Sequence, residues 1–192
     1  MILLLSLINI FLQAWQISAN EEVDGNYIST FYSKMFKYIS ILLCFMSLFI
    51  STFAKLIIFI ITDAKFFASW YYIPILTISI VFFAKAQFLG TVYTAFKQTK
   101  MAFYSNLIAA VINIVGNIVL VYFYGEIGAA ISTAISYFVL WIVRQYSIYS
   151  FIELKFNLKT EIITTILVIV NAIIVMTENM ILTGISFIVV LC

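Results

Sequence analysis

A charge-free run from Met101 to Gly125, followed after a short turn by a second apolar run starting at Ala129, limits what this chain can fold into more than any other stretch. Crossing a hydrocarbon core takes about 20 apolar residues as helix. Two such runs joined only by Gly125-Glu126-Ile127-Gly128 must lie antiparallel and side by side. The stretch therefore reads as a membrane hairpin.

Its polar residues are as informative as its apolar ones. Asn106, Asn113 and Asn117 fall at i, i+7 and i+11, which puts them on one helical face, flanked by Ala109, Ala110 and Gly116. The second run answers with Ala129, Ser132, Thr133 and Ser136, and Ala130 and Ala134 form a small-xxx-small pair. Burying Leu against Leu gains little in lipid, so small residues that allow close approach and amides that hydrogen-bond across the contact hold such helices together. The asparagine row reads first as helix-packing glue. The alternative is that one asparagine of the row, Asn106, Asn113 or Asn117, lines a polar transport path.

Composition narrows the class. Of the 192 residues 65% are hydrophobic and 9% charged, with a mean hydropathy of +1.17, whereas soluble domains carry about 25% charged residues. A water-soluble globule is excluded. The absence of histidine removes the commonest metal ligand and general base, and Cys44 and Cys192 form no motif. The expectation is a protein that is not an enzyme, holds no metal or cofactor and binds no nucleic acid.

The fold expected is an all-α polytopic helical bundle, one membrane domain over residues 1–192. About seven spans are predicted, at 1–19, 38–62, 70–96, 101–124, 127–149, 162–177 and 179–192, the first and last of them partial. The first is read as a span and not a signal peptide because no basic residue precedes its apolar stretch. Residues 20–37 read as a polar loop. Pro74 falls in the opening turns of its span, where its kink costs least. Lys34, Lys37, Lys97, Lys100, Arg144, Lys155 and Lys159 fall in alternate loops, against Lys65 alone in the opposite set. The excess of bases places the first set in the cytoplasm and the Gly125 turn outside.

Lys85 is the anomaly. It lies more than ten residues from either end of its span, where a lysine costs about 2.5–3.5 kcal/mol on insertion scales. A functional role is the default reading, and the alternatives are snorkelling or an acidic partner in another helix. Gln87, Thr91, Thr94 and Gln98 form a polar stripe on the same helix, nearly opposite Lys85. Lys55 and Arg144 read as snorkelling residues near helix ends, and Trp70-Tyr71-Tyr72 and Tyr122-Phe123-Tyr124 as interfacial belts. All eight carboxylates fall in or beside loops, so the embedded charge is expected to be positive only, which suits an anionic substrate.

The pattern Asn113-x3-Asn117, Tyr124-Gly125-x2-Gly128-Ala129-Ala130-Ile131-x-Thr133, Ile135-Ser136 resembles the polysaccharide flippases of the multidrug/oligosaccharidyl-lipid/polysaccharide exporter superfamily. Tyr72-x-Pro74-Ile75-Leu76 and the turn at Lys97–Lys100 are similar to the helix before it, so the likeness covers about residues 70–150. The resemblance implies the C-terminal lobe of a two-lobed helical transporter. Such a protein flips undecaprenyl-diphosphate-linked oligosaccharide across the bacterial cytoplasmic membrane for O-antigen or capsule synthesis. It implies Lys85 at the diphosphate, with Asn113, Asn117, Gln87 and Thr91 as further cavity candidates, and Gly125, Gly128, Ala129, Ala130 and Thr133 as the packing motif. Implied partners are the lipid-linked oligosaccharide, membrane lipids and a separate N-terminal lobe, without which this chain is expected not to transport. Alternative readings are a drug or cation antiporter of the same fold and a membrane glycan polymerase or acyltransferase.

Overall fold

The computed structural model describes residues 25–150, 152 and 157–177, and every described element is helical. The elements are α1 (Gly25–Thr52), α2 (Ala54–Ile61), a 3-10 segment (Ala64–Tyr72), α3 (Ile73–Ala95), α4 (Thr99–Tyr124), α5 (Glu126–Ile148) and α6 (Leu158–Met176). Five helical stretches are long and apolar enough to cross a membrane: Ser29–Thr52, Lys65–Ala95, Thr99–Tyr124, Glu126–Ile148 and Leu158–Met176. They are the counterparts of the five interior spans expected from sequence, which makes this a multi-pass membrane protein. The spans expected at 1–19 and 179–192 lie outside the described residues.

Two boundaries differ from expectation for physical reasons. The stretch read as a polar loop up to Lys37 is helical from Gly25 onward. Phe31, Tyr32, Met35, Phe36 and Ile39 form an apolar stripe that packs inward, while Lys34 and Lys37 stay exposed on the opposite side. Tyr32 and Phe36 both meet the Phe88 ring, each with centroids 5.8 Å apart. The span expected at 38–62 is interrupted at Phe53, where the backbone turns out of helical geometry (φ −92°, ψ 13°) before α2 resumes. Lys55 Nζ then sits 4.2 Å from the centre of the Trp70 ring, a cation–π contact that ties α2 to the 3-10 segment.

The centre of the bundle is α3. Its apolar residues are spread over all its faces, as suits a helix enclosed by neighbours, and its polar ones, Thr77, Ser79, Lys85 and Thr91, are buried with them. It packs against α1, α5 and α6, while α6 also packs on α1 and α4 leans on α5. Pro74 falls at the first or second position of α3, where the missing N–H has no helical partner to lose. By contrast α4 buries only Ser105 and Ala109 and turns Leu107, Val111, Ile114, Ile118 and Val121 outward. In water such a face would drive aggregation, and in lipid it is the expected outer wall.

Candidate functional site: a buried ion pair beside a membrane groove

The hairpin is held as its polar row suggests. Asn113 Nδ2 donates to Ser136 Oγ (3.2 Å), and Ser132 Oγ donates to the Asn113 carbonyl (3.0 Å). Asn117 Nδ2 turns back to Asn113, at 2.9 Å from its carbonyl and 3.0 Å from its side-chain oxygen. A Cβ on Gly128 would collide with the Leu120 carbonyl, and one on Gly116 would press on Ser132. Ala130 is buried, and Thr133 donates to the Ala129 carbonyl (2.9 Å). Gly125 differs from the other glycines. Nothing lies near its Cβ direction, but its φ of +60° with ψ −138° belongs to a region nearly confined to glycine, so it serves the turn.

Arg144 corrects the snorkelling reading. Its side chain is buried, not lifted to the interface, and it gathers three helices. Nη1 donates to the Ala86 carbonyl (2.6 Å) and to Gln87 Oε1 (3.0 Å) on α3. Nη2 donates to Asn106 Oδ1 (2.9 Å) and Nε to Ser105 Oγ (3.2 Å), both on α4. Gly90 makes the room, since a Cβ there would stand 2.7 Å from Nη1. Every acceptor given is neutral, so among the described residues the guanidinium has no counter-ion. Tyr93, whose ring lies under the guanidinium with its centre 5.9 Å away, bonds Ser147 on α5.

Lys85 points the other way. Nζ lies 2.8 Å from Glu161 Oε2 on α6, and 3.4 Å from both Thr164 Oγ1 and Thr165 Oγ1. The Trp141 ring of α5 covers it, with its centre 5.1 Å from Nζ. Lys85 is fully buried and Glu161 nearly so. The expectation that no carboxylate lies inside the membrane bundle is therefore overturned. Glu161 looked like a loop residue because Glu153, Lys155 and Lys159 precede it. But Asn157 caps α6 by accepting from the Thr160 N–H (3.2 Å), which places Glu161 within the first helical turns. That capping asparagine was the sequence signal available.

A groove of about 490 Å³ runs between α5 and α6. Phe138, Trp141, Ile142, Gln145, Tyr146 and Tyr149 line it on one side, and Leu158, Glu161, Ile162, Thr165 and Ile166 on the other. Of the cavity candidates read from sequence, Asn113, Asn117, Gln87 and Thr91 lie off this wall: the asparagines between α4 and α5, Gln87 on Arg144, and Thr91 buried on its own helix with the Phe88 carbonyl. Lys85 stands directly behind the wall, bonded to Glu161. Trp141 Nε1 and Gln145 Oε1, one helical turn apart on α5, are buried with no hydrogen-bond partner.

The arrangement has no acid–base dyad with a nucleophile, and no group of three potential metal ligands occurs among the described residues. What it provides is a largely apolar groove with the Lys85–Glu161 ion pair at its inner wall. Comparison of the chain with protein-family models, with curated proteins and with solved structures finds no match.

Proposed function

We propose that this chain takes part in moving an anionic lipid, an undecaprenyl-diphosphate-linked oligosaccharide, across a bacterial cytoplasmic membrane for surface-polysaccharide synthesis. The Lys85–Glu161 pair, buried inside the bundle on the wall of the groove, is the observation that carries this reading. An ion pair in the membrane is expensive and weak evidence for stability, so function is its default explanation. Exchange explains it physically: the diphosphate takes the place of the Glu161 carboxylate at Lys85 Nζ, so the lysine stays compensated, and the displaced Glu161, which lines the groove, takes up a proton. Arg144 adds a second buried cation without a carboxylate of its own, so the described bundle buries two cations against one anion. The hairpin pattern around Gly125 agrees with the same reading.

The test is direct. Glu161→Gln removes the competing anion and should tighten binding of undecaprenyl diphosphate to the purified full chain at least tenfold, measured against undecaprenol. Lys85→Met should abolish that preference. If neither variant changes the ratio, the reading is wrong.

The buried Glu161 also favours a second reading, proton-coupled export of an organic cation. A membrane carboxylate is what that chemistry needs. The same variant separates the two: Glu161→Gln would then eliminate cation-stimulated proton flux in proteoliposomes instead of improving lipid binding.

A further inference from the structure

We infer that the groove between α5 and α6 is the seat of the chain's own N-terminal run, residues 1–20, which lies along it as a further helix with its amide side chains turned inward. The inference concerns how the bundle is completed and does not rest on the transported substrate proposed above.

The gap has the form of a missing helix. α5 and α6 both pack on α3, yet neither packs closely on the other. Ile162 and Ile166 on the α6 side of the groove are 57% and 54% exposed. The lining is not uniformly apolar, because Trp141, Gln145, Glu161 and Thr165 set a polar band along its middle. Within that band Trp141 Nε1 and Gln145 Oε1 are buried with no hydrogen-bond partner. A donor and an acceptor left unserved in a low-dielectric interior are costly. An acyl chain can satisfy neither, whereas a side-chain amide carries both complements.

The sequence supplies amides at the matching depth. Asn9, Gln13, Gln16 and Asn20 recur at i, i+4, i+7 and i+11, one face of a helix, in a run without charge. Glu21, Glu22 and Asp24 follow and mark where that run leaves the membrane. Counted back from Asn20 at ~1.5 Å per residue, Gln16 lies about 6 Å and Gln13 about 10 Å inside. Counted back from Ile148 on α5, Gln145 lies about 5 Å and Trp141 about 10 Å inside. Both counts start at one end of the bundle, since Tyr32 and Phe36, early in α1, share a core cluster with Ile148 and Ile152. α1 also packs on α6, so the chain enters Gly25 beside a helix that forms the groove.

The other apolar run, 178–192, does not fit. It follows α6 at Met176, the opposite end of the bundle. Its polar stripe, Asn179, Thr183 and Ser186, falls within about 10 Å of that end, in the other half of the bilayer. The residues beyond it, Phe187-Ile188-Val189-Val190-Leu191, would bring only hydrocarbon toward the polar band.

Cross-linking tests the seat in the full chain carrying Cys44→Ser and Cys192→Ser. Gln16→Cys with Gln145→Cys should form an intramolecular disulfide on mild oxidation in at least half of the molecules, and Ser186→Cys with Gln145→Cys should not. The reverse result would give the groove to 178–192, and a covalent dimer would give it to a second copy. Either outcome, or no cross-link from Gln16→Cys, overturns the inference. Spin-label accessibility gives a second reading that leaves residues 1–20 unaltered. Ile162 in the groove and Ile118 on the outer wall of α4 are 57% and 70% exposed, so their contact with lipid should be similar unless a further segment covers the groove. With a nitroxide on Ile162→Cys or Ile118→Cys in the same background, oxygen collision in a bilayer should be at least threefold lower at residue 162. Equal values would mean that lipid fills the groove, and would refute the seat.

Discussion

Arg144 serves four acceptors on two neighbouring helices through a planar group whose donors are fixed in direction. Lysine cannot reproduce that fork. Arg144→Lys is expected to leave Asn106 and Ser105 unserved and to lower the melting temperature of the detergent-solubilised chain, whereas Gly90→Ala, which meets only the flexible end of Arg144, should cost less. A melting series of the two variants ranks them, and a costlier Gly90→Ala would refute the account. At the ion pair, Glu161→Ala or Lys85→Ala alone strands a buried charge at a cost on the order of 3–5 kcal/mol. Replacing both by Met and Leu should recover most of the loss, and a double variant no better than the singles would refute the pairing. Lys85 could be recognised as anomalous in the sequence because its burial follows from its place in an apolar run. Its partner could not, because the loop charges ahead of Glu161 mask where α6 begins. Arg144 was misread because nearness to a helix end says how far a side chain could snorkel. It does not say whether neutral acceptors on two neighbours hold it in.

Among the elements, the hairpin of α4 and α5 was the most legible, since turn chemistry, small residues and an asparagine row all point to one contact. Gly128 is its tightest point. Gly128→Ala would drive a methyl into the Leu120 backbone oxygen, which has no rotamer to escape by, so the hairpin ends must part. A disulfide between cysteines introduced at Gly116 and Ser132, where a Cβ on Gly116 would stand 3.3 Å from the Ser132 Cβ, would read this out: it should form readily in the parent and slowly in the Gly128→Ala chain, and equal rates would contradict the packing. Gly125→Ala tests a different property, the positive φ of the turn, and should strain the connection without touching the interface. The start of α1 was illegible for the opposite reason. Lys34 and Lys37 lower a hydropathy average even though they occupy a single face, and only the 3.6-residue spacing of Phe31, Tyr32, Met35 and Phe36 reveals a helix there.

In the whole molecule, α3 is enclosed and α4 is peripheral, so the described helices form an asymmetric slab, with an outer wall on one side and a groove on another. The number and order of interior spans could be read in advance because hydropathy and length decide them. The interior polar contacts could not, because they join residues 58 and 76 positions apart that no local pattern connects. Single cysteines at Glu126 and at Lys97 should react with membrane-impermeant maleimide from opposite sides of right-side-out vesicles, Glu126 from outside. Labelling of both from one side would contradict the orientation. Arg144 has a further consequence in an energised cell. With no counter-ion among the described residues, it is a fixed charge in the transmembrane electric field, about 6 Å in from the end of α5 at Ile148. With ~2.3 kcal/mol per 100 mV for a full crossing of a core of about 30 Å, that depth corresponds to roughly 0.5 kcal/mol, less than one of its hydrogen bonds. Voltage therefore presses this residue toward the negative side of the membrane without dislodging it, while the Lys85–Glu161 pair carries no net charge for the field to pull.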